Sequence, residues 1–278
     1  MKVSADEVSI TFYASNAKGQ PVNDLKLGEI DVFDNDQGPG KALSLQSLHS
    51  NAIRSAILVD TSGSVGAEIT NSRTIVAHAL ESLMRLPADS AMLTNFGPYR
   101  TTVQQWTNNK AELAAAASVI RPFTSQGTSL YDALSSTCLY DIGLPKAEAA
   151  RNLLLLITDG EDTTSHSTLK EAADLCQRSN TAIFVFLQKH GPTSSSAGEG
   201  VMRQLSEQTG GRLFQAAASE ADLQNDLSGI ETYLRNQYRL IYRPAHLVHD
   251  GSFHRLAIVG PTRVAAITAQ SGFYAPTK

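Results

Sequence analysis

The chain has 278 residues, enough for one large domain or for a domain with a small companion. With 42% hydrophobic and 18% charged residues, it reads as a folded protein and not a disordered one. A net charge of −4 with no basic stripe argues against nucleic acid as the main partner.

The first segment alternates: Val8, Ile10 and Phe12 face one way, Ser9, Thr11 and Tyr13 the other, as in a half-buried strand. Asn16–Gly19 is a turn signal, and Glu29–Asp34 and Ala42–Leu48 read as further short strands. Then the rhythm changes. Ser55–Val59 is a continuous apolar run, the mark of a strand buried on both faces of a parallel sheet. A helix follows with Ile69, Val76, Leu80, Leu83 and Met84 on one stripe, and Pro87 ends it. Strands at Ala91–Phe96 and Thr101–Trp106 precede a helix over Ala111–Ile120, and Trp106 reads as packing. A loop at Thr124–Ser129 leads into a helix reaching Leu144, and Leu153–Ile157 is a second fully buried strand. Helices at Leu169–Arg178, Val201–Gln208 and Leu223–Leu234 alternate with strands at Ala182–Leu187 and Leu213–Gln215. The tail returns to strands at Tyr238–Tyr242, Arg255–Val259 and Val264–Thr268.

Alternating strands and helices predict an α/β unit with a doubly wound, mostly parallel, Rossmann-like sheet. Each β-rich flank is too small to hold a core alone. The economical arrangement pairs them, 1–51 with 236–278, in one small β-sandwich that carries the α/β unit, 52–235, between its halves. The longest apolar run, Leu153–Ile157, is too short to cross a bilayer, and no signal peptide is legible. Cys138 and Cys176 fall in helical segments and read as buried thiols, with a disulfide open if those helices are neighbours.

The chemistry gathers at "AILVDTSGSVG", 56–66, where a buried strand runs into Asp60. The other central strand ends in the same way at Asp159, in "LLLLITDG". In an open α/β sheet, ligands bind outside the carboxyl ends of the strands, where strand order reverses. Two carboxylates placed alike there repel one another, and a cation removes the conflict. Ser62 and Ser64 alternate with Asp60, and Thr128 adds a hydroxyl from a glycine-bearing loop. Oxygen donors of this kind suit a hard divalent ion, Mg2+ first, with Ca2+ and Mn2+ open because hydroxyls do not discriminate among them.

Asp60-x-Ser62-x-Ser64, then Gly127-Thr128, then Thr158-Asp159-Gly160 together resemble the metal-ion-dependent adhesion site of von Willebrand factor A domains, over about 53–234. The resemblance implies Ser62, Ser64 and Thr128 as direct or near-direct ligands, and Asp60 and Asp159 as ligands directly or through water. It implies a non-enzymatic adhesion or assembly module that captures a partner protein's Glu or Asp on the ion. Residues 19–25 and 237–242 are similar to the flanks of bacterial proteins with related domains, many of them exported to the periplasm, cell surface or medium.

Other readings account for less of the pattern. Capping of a helix explains one Ser or Asp before it, not three with a distant Thr and Asp. A serine hydrolase would use Ser64, with Asp159 and His166 in Ser–Asp–His order, yet glycine is missing two residues before Ser64. A scaffold with a purely structural metal is a third reading. Glu161 and Asp162 read as solvated loop residues, or as groups tuning the ion from behind its ligands. His246, His249 and His254 read as a polar hairpin loop rather than a zinc site.

Overall fold

The computed structural model describes residues 7–35, 37–49, 51–124, 126–143, 151–188, 196–216, 219–245 and 247–275. Strands β1 (Val8–Ser15), β2 (Asp31–Asp34) and β3 (Lys41–Ser47) open the chain. The middle holds β4 (Ile53–Asp60), α1 (Ile69–Leu83), β5 (Ser90–Phe96), β6 (Arg100–Thr107), α2 (Lys110–Val119), α3 (Leu130–Ser136) and β7 (Arg151–Thr158). It continues through α4 (Leu169–Arg178), β8 (Thr181–Leu187), α5 (Ser196–Gln208), β9 (Leu213–Gln215) and α6 (Glu220–Arg235). Strands β10 (Gln237–Arg243), β11 (Phe253–Val259), β12 (Ala266–Ala269) and β13 (Gly272–Tyr274) close it. The described residues gather into two compact units, 7–51 with 232–275, and 52–143 with 151–231.

The first unit is built from both flanks. One antiparallel sheet runs β12–β1–β10–β3 and a second runs β13–β11–β2. Val8, Ile10 and Phe12, the face predicted to be apolar, share a core with Val32, Leu240, Tyr242 and Phe273. Of the histidines read as a polar loop, His249 does lie in a bend outside the strands, but His254 does not belong to that loop. His254 turns inward on β11 and its Nδ1 lies 2.8 Å from Asp34 Oδ1. A buried carboxylate needs such a partner, so hydrogen bonding overrides the usual preference of histidine for the surface. His246 lies outside the described residues. Strand β13, only three residues long, was not legible from alternation.

In the second unit the order is β6–β5–β4–β7–β8–β9, parallel except for β6, which pairs antiparallel with β5. The chain winds one way from β4 to β5 and the other way from β7 to β8, so the order reverses between β4 and β7. Every residue of β7 is buried, which is why it reads as unbroken hydrophobicity. Each of its five aliphatic side chains stabilises the fold by about 1.5–3 kcal/mol, an upper range. Ala56, Leu58, Leu154 and Leu156 pack under α3, α4 and α5. Ile75, Val76, Ala79 and Leu80 are the buried stripe of α1, and Leu223, Leu227, Ile230 and Leu234 that of α6.

Two expectations change here. Cys138 and Cys176 are not free thiols but a disulfide, because α3 continues into a π-helical turn, Thr137–Ile142, that packs against α4. The helix expected to reach Leu144 is regular only to Ser136, and its π turn stops at Gly143, with φ of 72°. Leu144 itself lies outside the described residues. Trp106 packs on the core as predicted, and it also donates from Nε1 to the Asp141 carbonyl at 3.2 Å.

Candidate metal centre

Asp60 is the last residue of β4, and the turn beyond it is tied to the sheet. The Thr61 N–H and hydroxyl both donate to the Phe96 carbonyl, at 2.8 and 3.0 Å. Asp60 folds back on the turn in the manner of an Asx turn: its Oδ1 accepts from the Ser62 N–H at 2.9 Å. Its Oδ2 accepts from the Thr158 hydroxyl at 2.7 Å, across the β4–β7 boundary. Thr158 accepts in turn from the Gly160 N–H at 3.0 Å. Thr158 has no role in the reading from sequence alone. Its position just before Asp159 on a fully buried strand was the available signal.

The hydroxyls run outward from there. Ser62 Oγ and Ser64 Oγ lie 3.1 Å apart, and Ser64 Oγ donates to Asp159 Oδ2 at 2.6 Å. Asp159 Oδ1 accepts from the Glu161 N–H at 3.1 Å. Gly160 makes this second turn feasible. Its φ is 84°, and a Cβ there would stand 3.0 Å from Met202 Cγ and 3.1 Å from the Gly198 carbonyl. Four of the five predicted residues, Asp60, Ser62, Ser64 and Asp159, are therefore joined in one hydrogen-bonded cluster.

The fifth, Thr128, is buried on the neighbouring loop. That loop lies against the same turn, for the Phe123 N–H donates to the Thr61 carbonyl at 2.7 Å. Thr128 is held through its main chain, to Thr163 and Thr164. Gly127 has φ of 109°, and a Cβ on it would meet Thr164 Cγ2 at 2.9 Å.

Electrostatics sharpen the picture. Asp60 is fully shielded from water, and burial pushes its carboxyl up to about 7 from 3.8, with the negative charge of Asp159 adding to the rise. Hydrogen bonds from Ser62 and Thr158 pull the other way but are too weak, since both donors are neutral. Among the described residues no group of three or more His, Cys, Asp and Glu side chains gathers as a metal cage. The oxygens here fit a hard divalent ion in another way, with two carboxylates for charge and hydroxyls for the remaining positions.

The hydrolase arrangement does not assemble. The Ser64 hydroxyl donates a hydrogen bond to Asp159, while the His166 side chain is 98% exposed and its Nδ1 faces Asp132 Oδ2 at 3.2 Å. Asp162 is a loop residue as expected, but it is half-buried and its Oδ1 accepts from the Tyr131 N–H and the Ser165 hydroxyl. Glu161 is exposed, as expected.

A family model for the von Willebrand factor type A domain matches residues 56–228. The chain belongs to that family. No curated protein matches the chain. Among solved structures, the type A domain is similar to BatB from Bacteroides thetaiotaomicron, at 16% identity and a TM-score of 0.53, over 66% of this chain and 98% of that one. An aerotolerance-related membrane protein from Bacteroides fragilis aligns over the same shares, at 14% identity and a TM-score of 0.52. Proximal thread matrix protein 1 from the mussel byssus, solved with a zinc-occupied MIDAS motif, gives 13% identity and a TM-score of 0.56. That match covers 72% of this chain and 50% of the mussel protein, and at such identities all three likenesses speak to fold.

Proposed function

We propose that the type A domain binds a divalent cation through Asp60, Ser62, Ser64, Thr128 and Asp159 and uses it to capture a Glu or Asp of a partner protein. One observation carries this reading. Asp60 is buried beside a second carboxylate with only neutral hydrogen-bond donors, so the protein itself leaves a negative charge uncompensated. Asp159, Ser64 and Ser62 lead from that charge toward solvent, and the Thr128 hydroxyl is free of the bonds that pin its loop. Two carboxylates balance a divalent charge while hydroxyls add none. The ion, when bound, supplies an electrophilic position for an incoming carboxylate.

The role is adhesion or assembly rather than catalysis, since Ser64 has a carboxylate and not an imidazole as its neighbour. Mg2+ is the first choice of ion, with Ca2+ and Mn2+ as alternatives and the zinc of the mussel protein as a precedent in the fold. An exported location, in the periplasm, at the cell surface or in the medium, agrees with the buried Cys138–Cys176 disulfide, which an oxidising compartment favours. Among the described residues no helix is long and apolar enough to cross a membrane.

The reading is tested by capture of interacting proteins with immobilised chain in Mg2+ and in EDTA, alongside Asp60→Ala. Partners that are retained in Mg2+ and lost both in EDTA and with Asp60→Ala support it. A partner set indifferent to chelator and to the substitution overturns it.

A further inference from the structure

Thr128 and Asp159 stand on different loops, so the separation of these two proposed ligands depends on what couples the loops. The coupling is a strap of hydrogen bonds between 128–132 and 162–167. The Thr128 N–H donates to the Thr163 hydroxyl at 2.8 Å, and the Thr128 carbonyl accepts from the Thr163 and Thr164 N–H groups at 2.9 and 3.1 Å. Three and four residues on, the Tyr131 N–H donates to Asp162 Oδ1 at 3.2 Å and the Asp132 N–H to Ser165 Oγ at 3.0 Å. Asp132 then reaches back: its Oδ2 accepts from the His166 N–H at 3.0 Å and its Oδ1 from the Ser167 N–H at 2.8 Å. Farther along the same two segments, Cys138 and Cys176 are joined covalently.

The chemistry of helix ends explains why this strap is more than packing. The first N–H groups of any helix lack partners inside it. Ser129, which precedes α3, makes no side-chain cap bond. Asp162 and Ser165 of the other loop supply the acceptors instead. A local cap would leave α3 indifferent to the Asp159 loop, whereas a cap in trans makes the two loops one body. Asp132 closes the strap at its far end, and it does so with charge. Burial works against its ionisation, yet the bonds from His166 and Ser167 hold its carboxyl down at about 2.

The geometry points to Asp132 as a positioning residue of the metal site: without touching the ion, it locks the 162–167 arm to α3 and so fixes Thr128 relative to Asp159. This rests on the metal-binding reading proposed above. Donors held in place before binding lose little freedom when an ion arrives, so affinity follows the integrity of the strap.

The test is calorimetric titration of the full chain with Mn2+, at a temperature well below its melting point. Wild type, Asp132→Ala and Asp132→Asn are compared, with the melting temperature of each in EDTA. The expected result is a Mn2+ Kd weakened about tenfold in Asp132→Ala, and less in Asp132→Asn, which keeps an acceptor for one of the two N–H groups. Bound Mn2+ in Asp132→Ala also shows stronger water-proton relaxation, because water replaces a displaced Thr128. If Asp132→Ala does not fold, Thr163→Val, which removes the acceptor of the Thr128 N–H at the other end, is expected to weaken Mn2+ in the same direction. A lower melting temperature in EDTA with an unchanged Mn2+ Kd assigns Asp132 to stability alone and overturns the inference. A wild-type chain that takes up no Mn2+ overturns the metal reading itself.

Discussion

Asp34 and Asp60 both end strands and are both withdrawn from water, at 9% and 0% exposure, yet the protein treats their charges in opposite ways. Asp34, in the sandwich unit, meets His254 Nδ1 through both oxygens, at 2.8 and 3.0 Å, and the imidazole is itself buried, stacked 4.9 Å from Phe273. Its partner is built in. Asp60, in the type A domain, has only neutral donors, from Ser62 and the Thr158 hydroxyl, and another carboxylate nearby. Burying a carboxylate without a counter-charge is costly. Asp34 has an imidazole nitrogen at hydrogen-bond distance from both oxygens, whereas Asp60 has only neutral donors and a second carboxylate nearby, the arrangement that the proposed cation would answer.

The largest effect is expected at Asp34. His254→Ala removes the hydrogen-bond partner of that carboxylate in the sandwich core and is expected to cost about 1–3 kcal/mol, read by urea unfolding followed by circular dichroism. Mn2+ affinity is expected to stay unchanged. A loss below about 1 kcal/mol would mean that Asp34 tolerates burial without its partner, and the contrast with Asp60 would lose its force. A smaller effect sharpens the other side. Thr158→Val removes the hydroxyl that serves Asp60 Oδ2 and is expected to destabilise the chain by about 1–2 kcal/mol in EDTA. That penalty shrinks in saturating Mg2+, where the ion answers the carboxylate, and an equal penalty in both media would count against such an ion.

Much of this was legible in the sequence, for physical reasons. Ser55–Val59 and Leu153–Ile157 announce themselves because strands covered on both faces have no polar side, and β4 and β7 contain them. The residues of the candidate site were legible because an aspartate ending such a strand has no packing role, and four of the five form one cluster. Thr128 is on the adjoining loop. What stayed hidden depends on long-range contact. The disulfide required knowing that the π turn after α3 lies on α4. His254 alternates against its strand, buried while Phe253 is 40% exposed, so hydropathy placed it outside. Asp162 caps a helix that begins more than thirty residues earlier, and no local pattern announces a cap supplied from so far away.

The central claim is that the uncompensated charge at Asp60 is answered by a divalent ion, and thermal melting between about pH 5 and pH 8, in EDTA and in Mg2+, tests it most directly. Asp60 sits at about 7 in the folded protein against an ordinary 3.8, so its contribution is fully present below about 4 and is lost as pH rises through 7, on the order of 4 kcal/mol at most. The melting temperature in EDTA is predicted to fall toward pH 8, Mg2+ to raise it more at pH 8 than at pH 5, and Asp60→Asn to abolish both effects. A melting temperature that Mg2+ leaves unmoved, or moves equally in wild type and Asp60→Asn, would contradict the account.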